Sequence, residues 1–126
     1  MTVFTEGRHP GEGLMSEANG HRSRDNIVVA AGAGIVIPAT VLGRITATGK
    51  YVPSPDAVVE GIEGAEVACA VAIYGADATT GDVAIAAISR DAEWNIHTLT
   101  FDPSVDTDSK LAAKLDQLRA VGIIVR

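Results

Sequence analysis

The first 26 residues limit most strongly what this chain can fold into. Residues 1–26 are polar and rich in glycine and show no hydrophobic period, whereas residues 27–31 read Ile-Val-Val-Ala-Ala. Apolar residues this sparse do not form a core of their own. The change at residue 27 therefore predicts an extended N-terminal arm over residues 1–26 and a folded body over residues 27–126. The apolar residues of the arm that can lie across another protein are Val3, Phe4, Leu14 and Met15.

The body draws its burial from small side chains. The chain has 126 residues, enough for one domain with an appendage, and it is 47% hydrophobic but only 4% aromatic. Alanine, valine and isoleucine each bury little area, and burial stabilises by roughly 25 cal/mol per Å². We therefore expect association with other chains to contribute to the stability of this protein.

The charge of the chain argues against a nucleic-acid partner. Sixteen acidic residues face ten basic ones, for a net charge of −6, whereas phosphate binding needs clustered cations. No stretch approaches the roughly 18 continuous apolar residues of a membrane span, and the N-terminus lacks the pattern of a signal peptide. We expect neither a nucleic acid nor a membrane as partner, and synthesis in the cytoplasm.

Short apolar segments separated by turn residues predict a mainly β body. Residues 66–74 and 83–90 are the strongest strand candidates, and residues 96–101 alternate as a half-buried strand does. Residues 53–56 and 75–82 read as connections between strands. Further strand-like segments are residues 35–37, 40–42, 44–48 (set apart by Gly43), 51–52 and 123–125.

One short helix is predicted near the C-terminus. Asp108 or Ser109 can cap it, because a short oxygen-bearing side chain accepts the free amide protons of a first turn. Gly122 is expected to end it. Three leucines then recur at helical spacing on one face. They are Leu111, Leu115 and Leu118.

The residue types of catalytic and metal sites are present without the spacing that such sites need. The three histidines show no i, i+4 pair, so no metal site is expected, and Cys69 is the single cysteine, which excludes an intrachain disulfide. His21, Ser23 and Asp25 have the types of a catalytic triad, but a flexible arm does not hold a base against a nucleophile. We expect no catalytic residue and no cofactor, and salt bridges where the arm meets the body.

Two motifs and one tryptophan leave alternatives open. Gly32-Ala33-Gly34 begins like a dinucleotide fingerprint but lacks the third glycine and the helix, so a sharp turn between strands is expected. Lys50 lies in a predicted hairpin turn, and residues 38–45 resemble the strand before the modified lysine of lipoyl and biotinyl domains. A carrier domain modified at Lys50 is therefore the alternative function. A small-ligand module would need converging polar side chains that the alanine-rich strands do not indicate. Trp94 suits either a core or an interface.

Residues 7–26 carry a pattern that continues through most of the chain. It opens with Gly-Arg-His-Pro-Gly-Glu-Gly-Leu-Met-Ser-Glu-Ala-Asn-Gly over residues 7–20 and runs on to Ser-Arg-Asp-Asn over residues 23–26. Residues 41–51 and 87–93 continue it, and the last helix with residues 122–125 completes it. These segments resemble the bacteriophage head decoration proteins related to the lambda capsid decoration protein, and the opening block is the most specific part.

The resemblance implies a β-clip-like or small β-barrel body that forms a homotrimer on the outer surface of the expanded phage head. It implies a virion protein, not an enzyme, that binds the major capsid protein and cements the shell against the pressure of packaged DNA. The arm would add a strand to the capsid protein. Trp94 is assigned to the trimer interface. The residues assigned to capsid binding are Phe4, Arg8, Glu12, Leu14, Met15, Glu17, Arg22, Arg24 and Asp25.

Overall fold

The computed structural model describes residues 1–126, the whole chain. It contains ten β-strands, a 3-10 helix over Ile96–Thr98 and one α-helix, α1, over Asp108–Ala120. The predicted mainly β fold with one helix near the C-terminus is confirmed. The strands are β1 Leu14–Glu17, β2 Arg24–Val29, β3 Gly34–Val36, β4 Val41–Arg44, β5 Tyr51–Pro53, β6 Ala68–Ala72, β7 Ala76–Ala78, β8 Val83–Ile88, β9 Ala92–Trp94 and β10 Ile123–Val125.

Five strands close into the small barrel that the sequence predicts. Their order around the ring is β2-β5-β4-β6-β8, and neighbours are antiparallel except β2 and β5, which pair in parallel at Val29 and Tyr51. In β2, Ile27 and Val29 are buried while Val28 between them is exposed, as the two-residue period of a strand requires. The barrel core is therefore built from alternate positions of short apolar strands.

A second sheet and the helix pack on the outside of the barrel. β9 lies in the middle of this sheet, antiparallel to β1 and parallel to β10. Trp94 from β9, Leu118 from α1 and Ile123 from β10 are all fully buried in one cluster. Val71 and Ile88 from the barrel strands belong to the same cluster, so sheet, helix and barrel share one core. β3 and β7 form a separate two-stranded sheet.

Local hydrogen bonds and close contacts override several of the predicted strand bounds. Residues 96–101 were expected to form a strand, which is wrong: the Asn95 side chain accepts a hydrogen bond from the His97 amide at 2.9 Å and caps a 3-10 helix there. β4 runs through Gly43, which was expected to separate two strands. Glycine is needed there, because a Cβ would lie 1.9 Å from the carbonyl oxygen of Ala65. Strand structure ends at Arg44, so residues 46–48 are a turn. β1 and β9 had no prediction, and β7 forms inside residues 75–82, which were expected to be only a connection.

The body begins well before residue 27. The Gly11 amide donates to the carbonyl oxygen of Ile73 at 3.2 Å, β1 pairs with β9, and β2 already starts at Arg24. Residues 1–10 are all exposed and have no strand or helix. The exposed N-terminal segment is therefore residues 1–10, and the predicted boundary at residue 26 falls inside a barrel strand.

The helix begins one residue away from the predicted caps. The Thr107 hydroxyl accepts from the Lys110 amide at 3.3 Å, so Thr107 is the N-cap and the predicted Asp108 and Ser109 lie in the first turn. Gly122 follows the helix with φ 85°, as predicted, because glycine adopts the left-handed conformation without strain. On the predicted apolar face only Leu118 is fully buried, and Lys114 is buried beside it.

Candidate functional site

The exposed N-terminal segment presents large apolar side chains to solvent. Phe4 is 90% exposed, Val3 is 77% exposed, and Met1 is fully exposed. Exposed apolar residues are common singly, but a cluster in a segment with no regular structure indicates a protein-binding element. The segment is free to lie across a partner without losing any packing of its own chain.

Arg8 ties the base of this segment to the body. Its guanidinium donates to the Glu12 carboxylate at 3.1 Å and to the carbonyl oxygen of His97 at 3.0 Å. On either side of Arg8, the Glu6 carboxylate oxygen Oε1 and the His9 ring nitrogen Nε2 are 3.0 Å apart. Two of the predicted polar contacts, Arg8 and Glu12, are therefore already engaged within the chain, and they set the direction in which residues 1–7 leave the body.

Gly13 brings the chain down onto the body and starts the edge strand β1. A Cβ at Gly13 would lie 1.7 Å from the Thr98 hydroxyl oxygen, so no other residue allows this approach. Leu14 then packs against the shared core, whereas Met15 is 57% exposed. Since β1 is the outer strand of its sheet, its second edge is open to pairing with another strand.

The predicted polar contacts Glu17 and Arg24 form a two-hydrogen-bond pair. Arg24 donates to the two carboxylate oxygens of Glu17 at 2.9 Å and 2.6 Å. The hydrogen bond from Arg24 lowers the pKa of Glu17 below its ordinary 4.5, and the bond to Glu17 raises the pKa of Arg24. The pair joins β1 to β2 and so fastens the edge strand to the barrel.

Asp25 is held by residues far along the chain. Ser89 and Arg90 both donate to its Oδ2 at 2.5 Å. These hydrogen bonds lower the pKa of Asp25 below its ordinary 3.8, and the bond from Ser89 has the larger effect. Arg90 also donates to the carbonyl oxygen of Arg22 at 2.6 Å, while Arg22 itself is exposed. Salt bridges between arm and body were expected at Arg22, Arg24 and Asp25. Asp25 forms one with Arg90, whereas Arg24 pairs with Glu17 inside residues 1–26 and Arg22 forms none.

The triad residue types of the opening block are not brought together. Ser23 is fully buried, and its hydroxyl donates to the carbonyl oxygen of Asp91 at 2.8 Å and accepts from the Ala18 amide at 3.0 Å. His21 is exposed. Ser23 therefore fixes the turn between β1 and β2 and takes part in no proton relay with His21.

The structure places Trp94 in the core of its own protomer. Its side chain is 0% exposed, and its indole N–H has no hydrogen-bond partner. A side chain without accessible surface contacts no second protomer directly, so the core alternative is the one that the structure supports. A contribution of Trp94 to trimer formation would act through the position of β9.

Lys50 is held by an ion pair and lines a partly apolar cavity. Its ammonium lies 2.7 Å from the Asp82 carboxylate. A cavity of about 460 Å³ opens beside this pair over a floor that includes Ile45, Val52 and Ile62. Two of the cavity's polar side chains thus satisfy each other, and Lys50 does not project freely as the lysine of a carrier domain must.

No cluster of three or more histidine, cysteine, aspartate or glutamate side chains that could hold a metal is found. Cys69 is half-buried, and burial raises the pKa of its thiol, which disfavours the nucleophilic thiolate. Nor does the chain contain a helix with the length and apolarity required to cross a bilayer. The features that stand out are therefore surfaces and edges suited to protein contact.

Comparison with known families agrees with this description. The family model described as bacteriophage lambda head decoration protein D matches residues 3–123. The match covers the exposed N-terminal segment from residue 3, the barrel, β1 and β9 of the second sheet and α1, and it ends at the first residue of β10. A search of curated proteins returned no match.

Proposed function

The chain belongs to the bacteriophage lambda head decoration protein family, and from this premise we propose that it binds the expanded phage head as a homotrimer and stabilises the shell. Membership makes it a structural protein of the virion that decorates the capsid, in a family of non-enzymatic proteins. The finer proposal places trimers on the outer surface, in contact with the major capsid protein, where they resist the pressure of packaged DNA. Before attachment the trimers would accumulate in the host cytoplasm.

The observation that carries the proposal is the exposed N-terminal segment. Residues 1–10 are exposed throughout, and Phe4 is 90% exposed. An unpaired segment offers backbone amides and carbonyls for β-augmentation, and apolar side chains for pockets on the partner. We assign the apolar capsid contacts to Phe4 and Met15, with Leu14 anchoring β1 from inside. The polar capsid contacts are assigned to Arg8, Glu12, Glu17, Arg22, Arg24 and Asp25.

Trimer formation makes such a segment effective. Ordering a flexible backbone costs about 1–2 kcal/mol per residue, so ten residues cannot bind firmly alone. Three segments presented by one trimer bind with a high effective concentration after the first has docked. The net charge of −6 suits the outside of a particle, away from the genome.

Deletion of residues 1–10 tests the proposal. The truncated chain keeps β1 and the barrel, so we expect it to fold and to trimerise like the full chain. Binding to expanded heads, prepared without this protein from the phage that encodes it, should fall below detection in co-sedimentation. Light scattering reports the oligomeric state of both chains.

A matched pair of substitutions refines this test. Phe4→Ser removes the apolar side chain, whereas Thr5→Ser changes its neighbour by one methyl group only. We expect Phe4→Ser to weaken head binding about tenfold, as loss of an aromatic interface residue does, and Thr5→Ser to bind like the wild type. Undiminished binding by both the truncated chain and Phe4→Ser would overturn the assignment of the segment to the capsid.

A further inference from the structure

A second exposed apolar element lies far along the chain from the N-terminal segment. Residues 56–61, in the connection between β5 and β6, are six consecutive exposed residues. They include Ala57, Val58 and Val59, of which Val58 is 65% and Val59 44% exposed. We call residues 56–62 the valine loop. Three adjacent apolar residues in this connection therefore keep a large part of their surface in water.

The connection that carries the valine loop is held at Asp56 and at Ala68 by one polar face of α1. Lys110, Lys114 and Gln117 recur at helical spacing and all point toward the connection. Lys110 lies 3.2 Å from the Asp56 carboxylate, before the valines. Gln117 accepts from the Ala68 amide at 2.8 Å, where the connection ends and β6 begins.

Lys114 is the central fastening and is fully enclosed. It is 1% exposed, and its ammonium donates to Ser54 Oγ at 2.8 Å and to the carbonyl oxygens of Pro55 and Glu66 at 2.5 Å each. The three acceptors come from both sides of the valine loop. A buried ammonium is costly to desolvate, so this arrangement favours one fixed geometry of the connection. A loop fixed in advance loses little entropy when it binds.

The charges around the valine loop indicate the chemistry of its partner. Glu60 and Glu63 are exposed beside the valines, whereas Asp56 is already paired with Lys110. A second copy that docked here through the same loop would bring its own Glu60 and Glu63 against these carboxylates. A protein surface with an apolar centre and a basic rim is complementary to it.

We propose that the valine loop is a second capsid-docking element, which seats Val58 and Val59 in an apolar depression of a capsid subunit that is rimmed by basic side chains. This inference rests on the proposed function, since it takes the capsid as the partner. It assigns the N-terminal segment and the valine loop to two separate contacts of the same protomer. The helix α1 acts on the capsid indirectly, by holding the loop in its binding conformation.

The double substitution Val58→Asp/Val59→Asp tests this proposal on the full-length chain. The matched control is Val28→Asp, an exposed valine of β2 that lies outside the valine loop. Light scattering gives the oligomeric state, and titration of expanded heads gives the affinity. We expect the double variant to keep the wild-type oligomeric state and to bind heads about tenfold more weakly or worse, and Val28→Asp to bind heads like the wild type.

A charge variant tests the basic rim separately. Glu60→Lys/Glu63→Lys should also weaken head binding, and added salt should reduce the difference from the wild type, because screening acts on the reversed charges. Wild-type affinity of the double aspartate variant overturns the proposal, and so does a changed oligomeric state, which would make the loop a contact between copies. Equal loss in Val28→Asp overturns the assignment to this loop. Failure of the wild-type chain to bind heads would contradict the proposed function itself.

Discussion

A lysine enclosed in the protein interior shows how single residues hold this fold. Lys114 has no carboxylate partner in contact, yet its ammonium satisfies three oxygens that would otherwise be buried without a donor. Burial lowers the pKa of Lys114 from its ordinary 10.5, while the nearby Asp56 and Glu66 act in the opposite direction. The hydrogen bonds, and not an ion pair, keep this side chain in place.

Replacement of Lys114 by methionine should destabilise the protein clearly. The apolar side chain fills a similar space but leaves the carbonyl oxygens of Pro55 and Glu66 without their donor, while Ser54 keeps only its bond to Ala65. We therefore expect the free energy of unfolding to fall by about 2–4 kcal/mol. Urea unfolding followed by the fluorescence of Trp94 measures the change. Lys110→Met on the same helix face is the control, because a partly exposed lysine in surface ion pairs contributes only about 0–1 kcal/mol. Equal unfolding free energies for Lys114→Met and wild type would refute this role.

The sequence predicts which apolar residues of the candidate site are exposed better than it predicts the hydrogen-bond partners of its polar residues. Phe4 and Met15 are exposed, as a role in binding another protein requires. Asp25 instead meets Arg90, a partner 65 residues away that no local pattern announces. Lys114 lies between leucines in a helix and reads as a solvent-facing residue, and the valines at 58 and 59 carry no motif. The roles of Lys114, Val58 and Val59 depend on residues that are distant in the sequence and adjacent in the fold.

At the scale of elements, strands that contain an apolar run are predicted from the sequence, whereas β1, β7 and β9 are missed. β6 and β8 lie within predicted strands because five or six apolar residues between turn signals leave little choice. β7 (Ala-Asp-Ala) and β9 (Ala-Glu-Trp) have an acidic residue at their centre and so show no apolar run, and they form because a partner strand is nearby. β1 was missed for the same reason, since Leu14 is its one core-facing apolar residue.

The start of α1 provides a test at this scale. Thr107 accepts the Lys110 amide, so Thr107→Ala should lower the free energy of unfolding by about 1 kcal/mol through loss of the N-cap. Ser109→Ala serves as the control, because Ser109 lies inside the first turn, and its effect should stay within about 0.5 kcal/mol. Thermal unfolding of both variants measures the difference. A larger loss in Ser109→Ala than in Thr107→Ala would place the cap where the sequence predicts it.

Across the whole molecule, carboxylates fasten segments that are distant in sequence. Asp25 joins β2 to the end of β8, Glu93 accepts from Arg126 at the C-terminus, and Asp82 holds Lys50 across the mouth of the barrel. Side-chain hydrogen bonds lower the pKa of each of these carboxyl groups in the folded protein: Ser89 and then Arg90 act on Asp25, Lys50 acts on Asp82, and Ser16 and then Arg126 act on Glu93. A chain rich in alanine, with little aromatic core, therefore takes part of its cohesion from ionised groups.

Acid should weaken the fold as a whole. A carboxylate whose pKa is lowered in the folded state contributes its full stabilisation above its pKa in the unfolded chain, which is near 4.5 for Glu17 and 3.8 for Asp25. This stabilisation is lost as the pH falls through the pKa of the same group in the folded protein. We expect an unfolding midpoint that is steady from about pH 7 to pH 5 and then declines toward about pH 3. Thermal unfolding at a series of pH values measures it. Asp25→Asn should be less stable than the wild type at neutral pH and lose less on acidification, because its side chain no longer titrates. A wild-type midpoint that stays constant down to about pH 3 would show that these pairs contribute nothing to stability.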